Sequence, residues 1–243
     1  MSAKAEGGRR KAEGGRVVAV NLGDDNLVLA HRLGEWISRG PDLETDIALG
    51  NIALDHLGVA RALLAYAGES DGRGEDDLAM MRSEREFTNL LICEQPNGDF
   101  AQTMARQLLF DAYQLELWEE LSTREDETLA GVAGKALLEA RYHFRFSSAW
   151  VIRLGDGTEE SRRRMESGLN HMWRFVDEMF EQHPHLRSEW DISIDQILDE
   201  ATLERPTGVP QRSGGRQGIH TEYLGHMLAE MQWMARSHPG ASW

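Results

Sequence analysis

Four short segments of this chain each set a side-chain oxygen just ahead of an apolar stretch, which is how helices begin. "PDLETD" (41–46) supplies Asp42 as an N-cap, followed by acids that suit the positive end of a helix dipole. "NGDFAQ" (97–102) sets Asp99 three residues before Gln102, the spacing of a capping box, and "STRE" (122–125) repeats it with Ser122 and Glu125. "GDGTEES" (155–161) ends one helix on glycines and starts the next with Thr158, Glu159 and Glu160. Alternating β-branched residues occur only in "VVAV" (17–20). This punctuation predicts helices over 22–39, 43–68, 75–93, 99–121, 125–154, 158–182 and 218–236, and a short one over 193–203. A Pro/Gly-rich loop, "RPTGVPQRSGGRQG" (205–218), precedes the last. The fold class is all-α.

A chain of 243 residues can bury one sizeable core as a single domain, expected over 21–243. Ahead of it, "KAEGGRRKAEGGR" copies the unit KAEGGR nearly in tandem; it is Gly-rich, charged and without apolar periodicity. A disordered tail over 1–20 is expected, with a docking arm as the alternative. No run approaches the roughly 18 apolar residues that cross a bilayer, and no signal-peptide core is seen near the N-terminus. The lone Cys93 excludes an internal disulfide framework. A cytoplasmic protein with no membrane association is the expectation.

Net charge is −15, and residues 1–16 carry five basic against two acidic groups, so the remainder stands at −18. Such a field repels phosphate backbones, which argues against nucleic acid as a partner. No G-x-S-x-G elbow, P-loop or G-x-G-x-x-G follows a predicted strand. Cys93 ends a predicted helix beside "EQPNGD" without an identifiable base, so a nucleophilic role is not expected.

The acids within the helices carry more. Asp25 lies 15 residues before Gly40 and Asp55 lies 15 after it; Asp111 lies 14 before Glu125 and Glu139 lies 14 after it. At about 1.5 Å per residue, all four sit about 21–23 Å from the turns of two antiparallel hairpins. Four acids at one level of a four-helix core is the layout of a ferritin-like di-iron centre, and the architecture expected is a ferritin-like four-helix-bundle core with additional helices.

That centre also needs two Glu-x-x-His pairs. Three residues after Asp55 stands Gly58, which has no ligand, and three after Glu139 stands Tyr142, a poor one for bridged irons. His56 is adjacent to Asp55, about 100° around the helix, and His143 is four after Glu139. Asp25 falls near a helix start, where the dipole alone accounts for an acid. No catalytic residue and no metal are expected. Asp25, Asp55, Asp111, Glu139 and His143 read as vestigial ligand positions kept as interior polar contacts, with Arg61, Arg141 and Tyr142 as further partners for the buried acids. A single-metal site and an unorthodox iron centre are the alternatives. Near the C-terminus, Glu222, His226 and Glu230 form a row read as a solvated or interfacial face rather than a metal site. Leu224, Met227, Leu228, Met231 and Met234 form a packing stripe, for the core or, with Trp233, for another chain.

The segments "LGDDNLVLAHRLGEW", "DIALGNIALDHLGVARALLAYAGE", "REFTNLLICEQPNGDFAQTMARQLLFDAY", "RYHFRFSSAWVIRLGDGTEESRRRM" and "HTEYLGHMLAEMQ", in this order from about residue 22 onward, resemble the PaaC family. These are the C subunits of the phenylacetyl-CoA ring 1,2-epoxidases of aerobic bacterial phenylacetate breakdown. The resemblance implies a non-catalytic structural subunit with no cofactor of its own. It implies that a catalytic A subunit of the same fold, holding the di-iron centre and the acyl-CoA, is its partner. It also implies a reductase subunit bearing a flavin and an iron–sulfur cluster and using NADPH. No catalytic residue carries over, a role in substrate binding is left unassigned, and self-association of the chain alone stays open.

Overall fold

The computed structural model describes residues 3–69 and 71–241, with side chains from residue 14 onward. Helix α1 (Ala3–Gly34) and helix α2 (Leu43–Gly68) pack along each other as the first hairpin. Short helices α3 (Glu75–Met80) and α4 (Leu91–Glu94), with a 3-10 turn over Glu84–Glu86 between them, lead to the second. That hairpin is α5 (Phe100–Ser122) and α6 (Glu127–Gly155), and α2 lies against α6 to complete a four-helix core. Helices α7 (Glu159–Trp173) and α9 (Arg187–Glu200) flank α5 and α6, with the short α8 (Val176–Met179) between them in sequence, and α10 (Glu222–Met231) and α11 (Trp233–Ser237) close the chain. The described residues contain no β-strand. The fold is the all-α bundle with additional helices expected from the caps.

Local chemistry accounts for the starts of α2, α5 and α7. Asp42 accepts the N–H of Thr45 at 2.7 Å and Asp99 that of Gln102 at 2.9 Å, while Thr158 Oγ1 accepts that of Ser161 at 3.1 Å. In the first hairpin turn, Asp46 Oδ1 accepts the N–H groups of Arg39 and Gly40 at 3.1 and 2.9 Å. A Cβ on Gly40 would stand 2.8 Å from the Asp46 backbone, so this turn admits only glycine. Gly168 plays the same part between helices: a Cβ there would meet Gln102 Cα at 2.8 Å, and its absence lets α7 close on α5. Behind α5, the buried Trp190 of α9 donates its indole N–H to the Leu109 carbonyl at 2.9 Å and packs edge-on against Phe180.

Several expectations are corrected. The first helix begins at Ala3, not near 22, and ends at Gly34; residues 14–20 are helical with Ala19 buried, so "VVAV" extends α1 instead of forming a strand and the tail does not reach 20. Of the side chains of 1–13, which carry most of the repeat, nothing is described. The span 75–93 breaks into α3, the 3-10 turn and α4, because the N–H groups of Thr88 and Leu90 leave helical pairing to donate to Asp24 and Asp25 at 2.9 and 2.7 Å. The start of α6 is capped by Asp126, which accepts Leu129 N–H at 3.0 Å, and not by the Ser122–Glu125 pair; Ser122 ends α5 and donates to the Glu119 carbonyl. The spans 158–182 and 218–236 each divide in two, and the short helix expected at 193–203 is α9. Helix α2 is long and apolar enough, by length and composition alone, to cross a bilayer, although half of its most apolar window is buried inside the molecule.

Candidate functional site

At mid-height the four core helices enclose a polar cluster. Helix α2 contributes His56, α5 contributes Asp111 and α6 contributes His143, all at most 3% exposed. One donor atom of each lies within 4.8 Å of the other two. The two imidazole rings stand 4.9 Å apart between centroids.

Hydrogen bonds fix how these groups face. Asn26, on α1, donates its amide Nδ2 to the Leu22 carbonyl at 2.8 Å, so Oδ1 is the atom turned toward His56, 2.7 Å from Nδ1. Gln114 Nε2 donates to the same Oδ1 at 3.3 Å. An amide oxygen only accepts, so His56 Nδ1 carries the proton. His143 Nε2 lies 3.0 Å from Asp55 Oδ2, a carboxylate that takes its N–H. Asp111 accepts Ser147 Oγ–H at 2.8 Å on one oxygen and the distant Gln107 Nε2 at 3.5 Å on the other. Three buried atoms here have no partner: His56 Nε2, His143 Nδ1 and Glu139 Oε2. Burial pushes the Asp111 carboxyl up to about 7, and burial with the neighbouring His143 holds His56 well below its usual value.

The predicted positions divide. Asp55, Asp111, Glu139 and His143 are brought to one level, with Glu139 at the rim, where Lys135 stands 3.4 Å away and burial raises its carboxyl. Asp25 is not among them. Its carboxylate takes a two-point contact from Arg216 at 2.9 and 2.7 Å together with the Leu90 N–H, although burial raises it above the ordinary range. The α1 residue that faces the cluster is Asn26, one step along. His56, set aside because it neighbours Asp55, is an interior member, while Asp55 sits at the edge and reaches His143. Gly58 is exposed with open space where a Cβ would stand, and Tyr142 lies on the outer surface, so imidazoles at these positions would not face the interior. Arg61 pairs with Glu75 at 3.1 Å, not with an interior acid.

The set does not fit paired irons. Such a centre takes a carboxylate from every helix and two carboxylate–histidine pairs. Here α1 offers an amide to the cluster, and of the acids gathered there (Asp55, Asp111 and Glu139) only Asp111 is fully buried.

Elsewhere, Glu222, His226 and Glu230 are exposed, while Leu224, Met227 and Leu228 are buried and Trp233 and Met234 are exposed. Cys93 is buried, which pushes its thiol well up and leaves it unreactive. A half-exposed group, Glu120 with His183 and His185, forms a second cluster of metal-ligating types.

Over residues 2–243 the sequence matches the family described as "Phenylacetic acid catabolic protein". It is 46% identical over 240 residues to the C subunit of 1,2-phenylacetyl-CoA epoxidase from Escherichia coli (strain K12), across 92% of this chain and 97% of that protein.

Proposed function

We infer the role of this chain from one premise: it belongs to the phenylacetic acid catabolic protein family. It is the C subunit of a multicomponent phenylacetyl-CoA ring 1,2-epoxidase, a cytoplasmic structural component that packs against a di-iron catalytic A subunit. Iron, flavin, iron–sulfur cluster and NADPH belong, on this reading, to the other subunits. The identity of 46% along nearly the whole of both chains supports the assignment to the C component.

The observation that carries the non-catalytic role is the interior ligand set. A bundle of the oxygenase type whose α1 presents Asn26, and whose positions 58 and 142 face outward, lacks the donors that bridge two irons. What the chain keeps is a large packed helical body. Oxygen activation in a sister subunit needs helices that shift to admit substrate and electrons, and a partner that buries apolar surface against them limits how far they move.

The test is co-expression with the A subunit of the same complex, then sizing, iron quantification of each chain and assay of phenylacetyl-CoA epoxidation. Iron is expected in the A subunit, and oxidation is expected to need this chain yet survive Glu139→Gln in it. An A subunit fully stable and fully active alone would refute the scaffold role. Two bridged irons in this chain, lost on Glu139→Ala, would replace it with an oxygenase centre of its own.

A further inference from the structure

We propose that the interior pocket formed by His56, Asp111 and His143 binds a single divalent first-row transition cation of the zinc kind. The inference does not depend on the scaffold role, since one structural ion is compatible with either outcome of the epoxidation assay.

Two imidazoles lie at the centre of the pocket. Each has one nitrogen committed to an oxygen on another helix: His56 Nδ1 to Asn26 and His143 Nε2 to Asp55, at 2.7 and 3.0 Å. With the proton held at that nitrogen, the other one presents a lone pair. These other nitrogens, His56 Nε2 and His143 Nδ1, are both buried without a partner. A buried polar atom with no partner costs free energy, and two in one cluster call for a common occupant. Lone pairs bind a cation or accept a hydrogen bond.

The outer contacts favour the cation. A metal-binding histidine characteristically donates its second N–H to a carboxylate or carbonyl, which fixes the tautomer and orients the ring. Both rings here are held that way before any ion arrives. Asp111 adds the anionic ligand: its carboxylate has about four acceptor sites, of which Ser147 and the distant Gln107 use two. Two imidazole nitrogens and one carboxylate oxygen suit zinc and its neighbours and not calcium or magnesium, which take oxygen ligands. Donor atoms around zinc lie about 3.3 Å apart, given bonds of about 2.0–2.1 Å in tetrahedral geometry. One donor atom of each of the three residues lies within 4.8 Å of the other two, so a closure of up to about 1.5 Å seats one ion among them. Glu139 stands at the rim with one buried oxygen unpartnered, the other facing Lys135.

The experiment uses the full, tag-free chain stripped with chelator. Zn²⁺ is titrated by calorimetry, and Co²⁺ is added separately as a spectroscopic reporter. One ion per chain is expected. His56→Leu and Asp111→Asn should each weaken binding at least tenfold, and Asp55→Asn about 10–100-fold through the loss of His143's orienting partner. His185→Ala, in the half-exposed cluster, should leave the affinity unchanged. Absence of saturable binding would overturn the proposal and leave water as the occupant; so would binding that survives both interior variants or is lost with His185→Ala. If the interior variants fail to fold, the unaltered chain still decides. Intense visible bands of low-coordinate cobalt bound by nitrogen support the site, and a pale spectrum of fully hydrated cobalt refutes it.

Discussion

Arg216 lies in the Pro/Gly-rich loop ahead of α10, yet its guanidinium is buried against α1. It meets both oxygens of Asp25 and donates to the carbonyls of Asn21 and Thr88 at 3.1 and 2.6 Å. Removing one partner strands the other charge away from water, so Arg216→Ala should cost about 3–5 kcal/mol in urea unfolding. His220 makes a second buried pair, 2.8 Å from Glu94 and 2.9 Å from the Phe87 carbonyl. Burial opposes its charge, but the hydrogen bond to Glu94 and that carboxylate's field outweigh burial and hold its pKa above the usual value. The stabilisation is therefore complete below the unfolded value of about 6.5 and is lost as pH rises through the higher folded value. The difference in Tm between the wild type and His220→Gln should be largest near pH 5.5 and shrink toward pH 8.5; a constant difference would assign the effect to packing alone. These pairs were not legible in the sequence. Counting residues from a turn gives height along a helix but not rotation about it, and one step is about 100°. That is why the level of Asp55, Asp111 and Glu139 was readable, while the exchange of Asp25 for Asn26 and of Asp55 for His56 was not.

Helix ends were legible where the cap and its N–H lie three residues apart and need nothing else, as at Asp42, Asp99 and Thr158. They were not where a tertiary partner decides. Asp126 caps α6 with Oδ1 and accepts the Tyr66 hydroxyl on Oδ2 at 2.5 Å, joining the end of α2 to the start of α6. That hydrogen bond, with burial, pushes the Tyr66 phenol up to about 12. Asp126→Ala removes a cap of about 1 kcal/mol and a hydrogen bond of about 1 kcal/mol, so a loss of about 2 kcal/mol is expected. Tyr66→Phe should lose about half of this, and the double variant little more than Asp126→Ala, which a double-mutant cycle in urea would read directly. The break of the 75–93 span has the same origin. The carboxylates of Asp24 and Asp25 take backbone N–H groups that a continuous helix would have used, and Asp24 is itself paired with Arg82.

For the molecule as a whole, charge and apolar surface are unevenly shared. The chain carries −15, yet α2 exposes a row of apolar side chains: Leu43 at 70%, Ile47 at 55%, Leu54 at 65% and Leu57 at 42%. Their spacing of four, seven and three residues keeps them on one side of the helix. This row, together with the apolar residues that α2 buries in the core, gives the helix its membrane-like composition. A core helix would bury such a row within its own chain, and a partner protein would bury it in an assembly. The scaffold role makes a definite prediction about a lysine in the middle. Leu54→Lys touches little inside the monomer, so its stability should stay within about 0.5 kcal/mol of wild type. If α2 is covered by the A subunit, the same variant should lose co-elution with it and lower epoxidation in step, while Glu139→Gln retains both. Normal co-elution and activity of Leu54→Lys would place the contact between subunits on another face, because a lysine ammonium is not accommodated in a dry apolar seam without a partner for its charge.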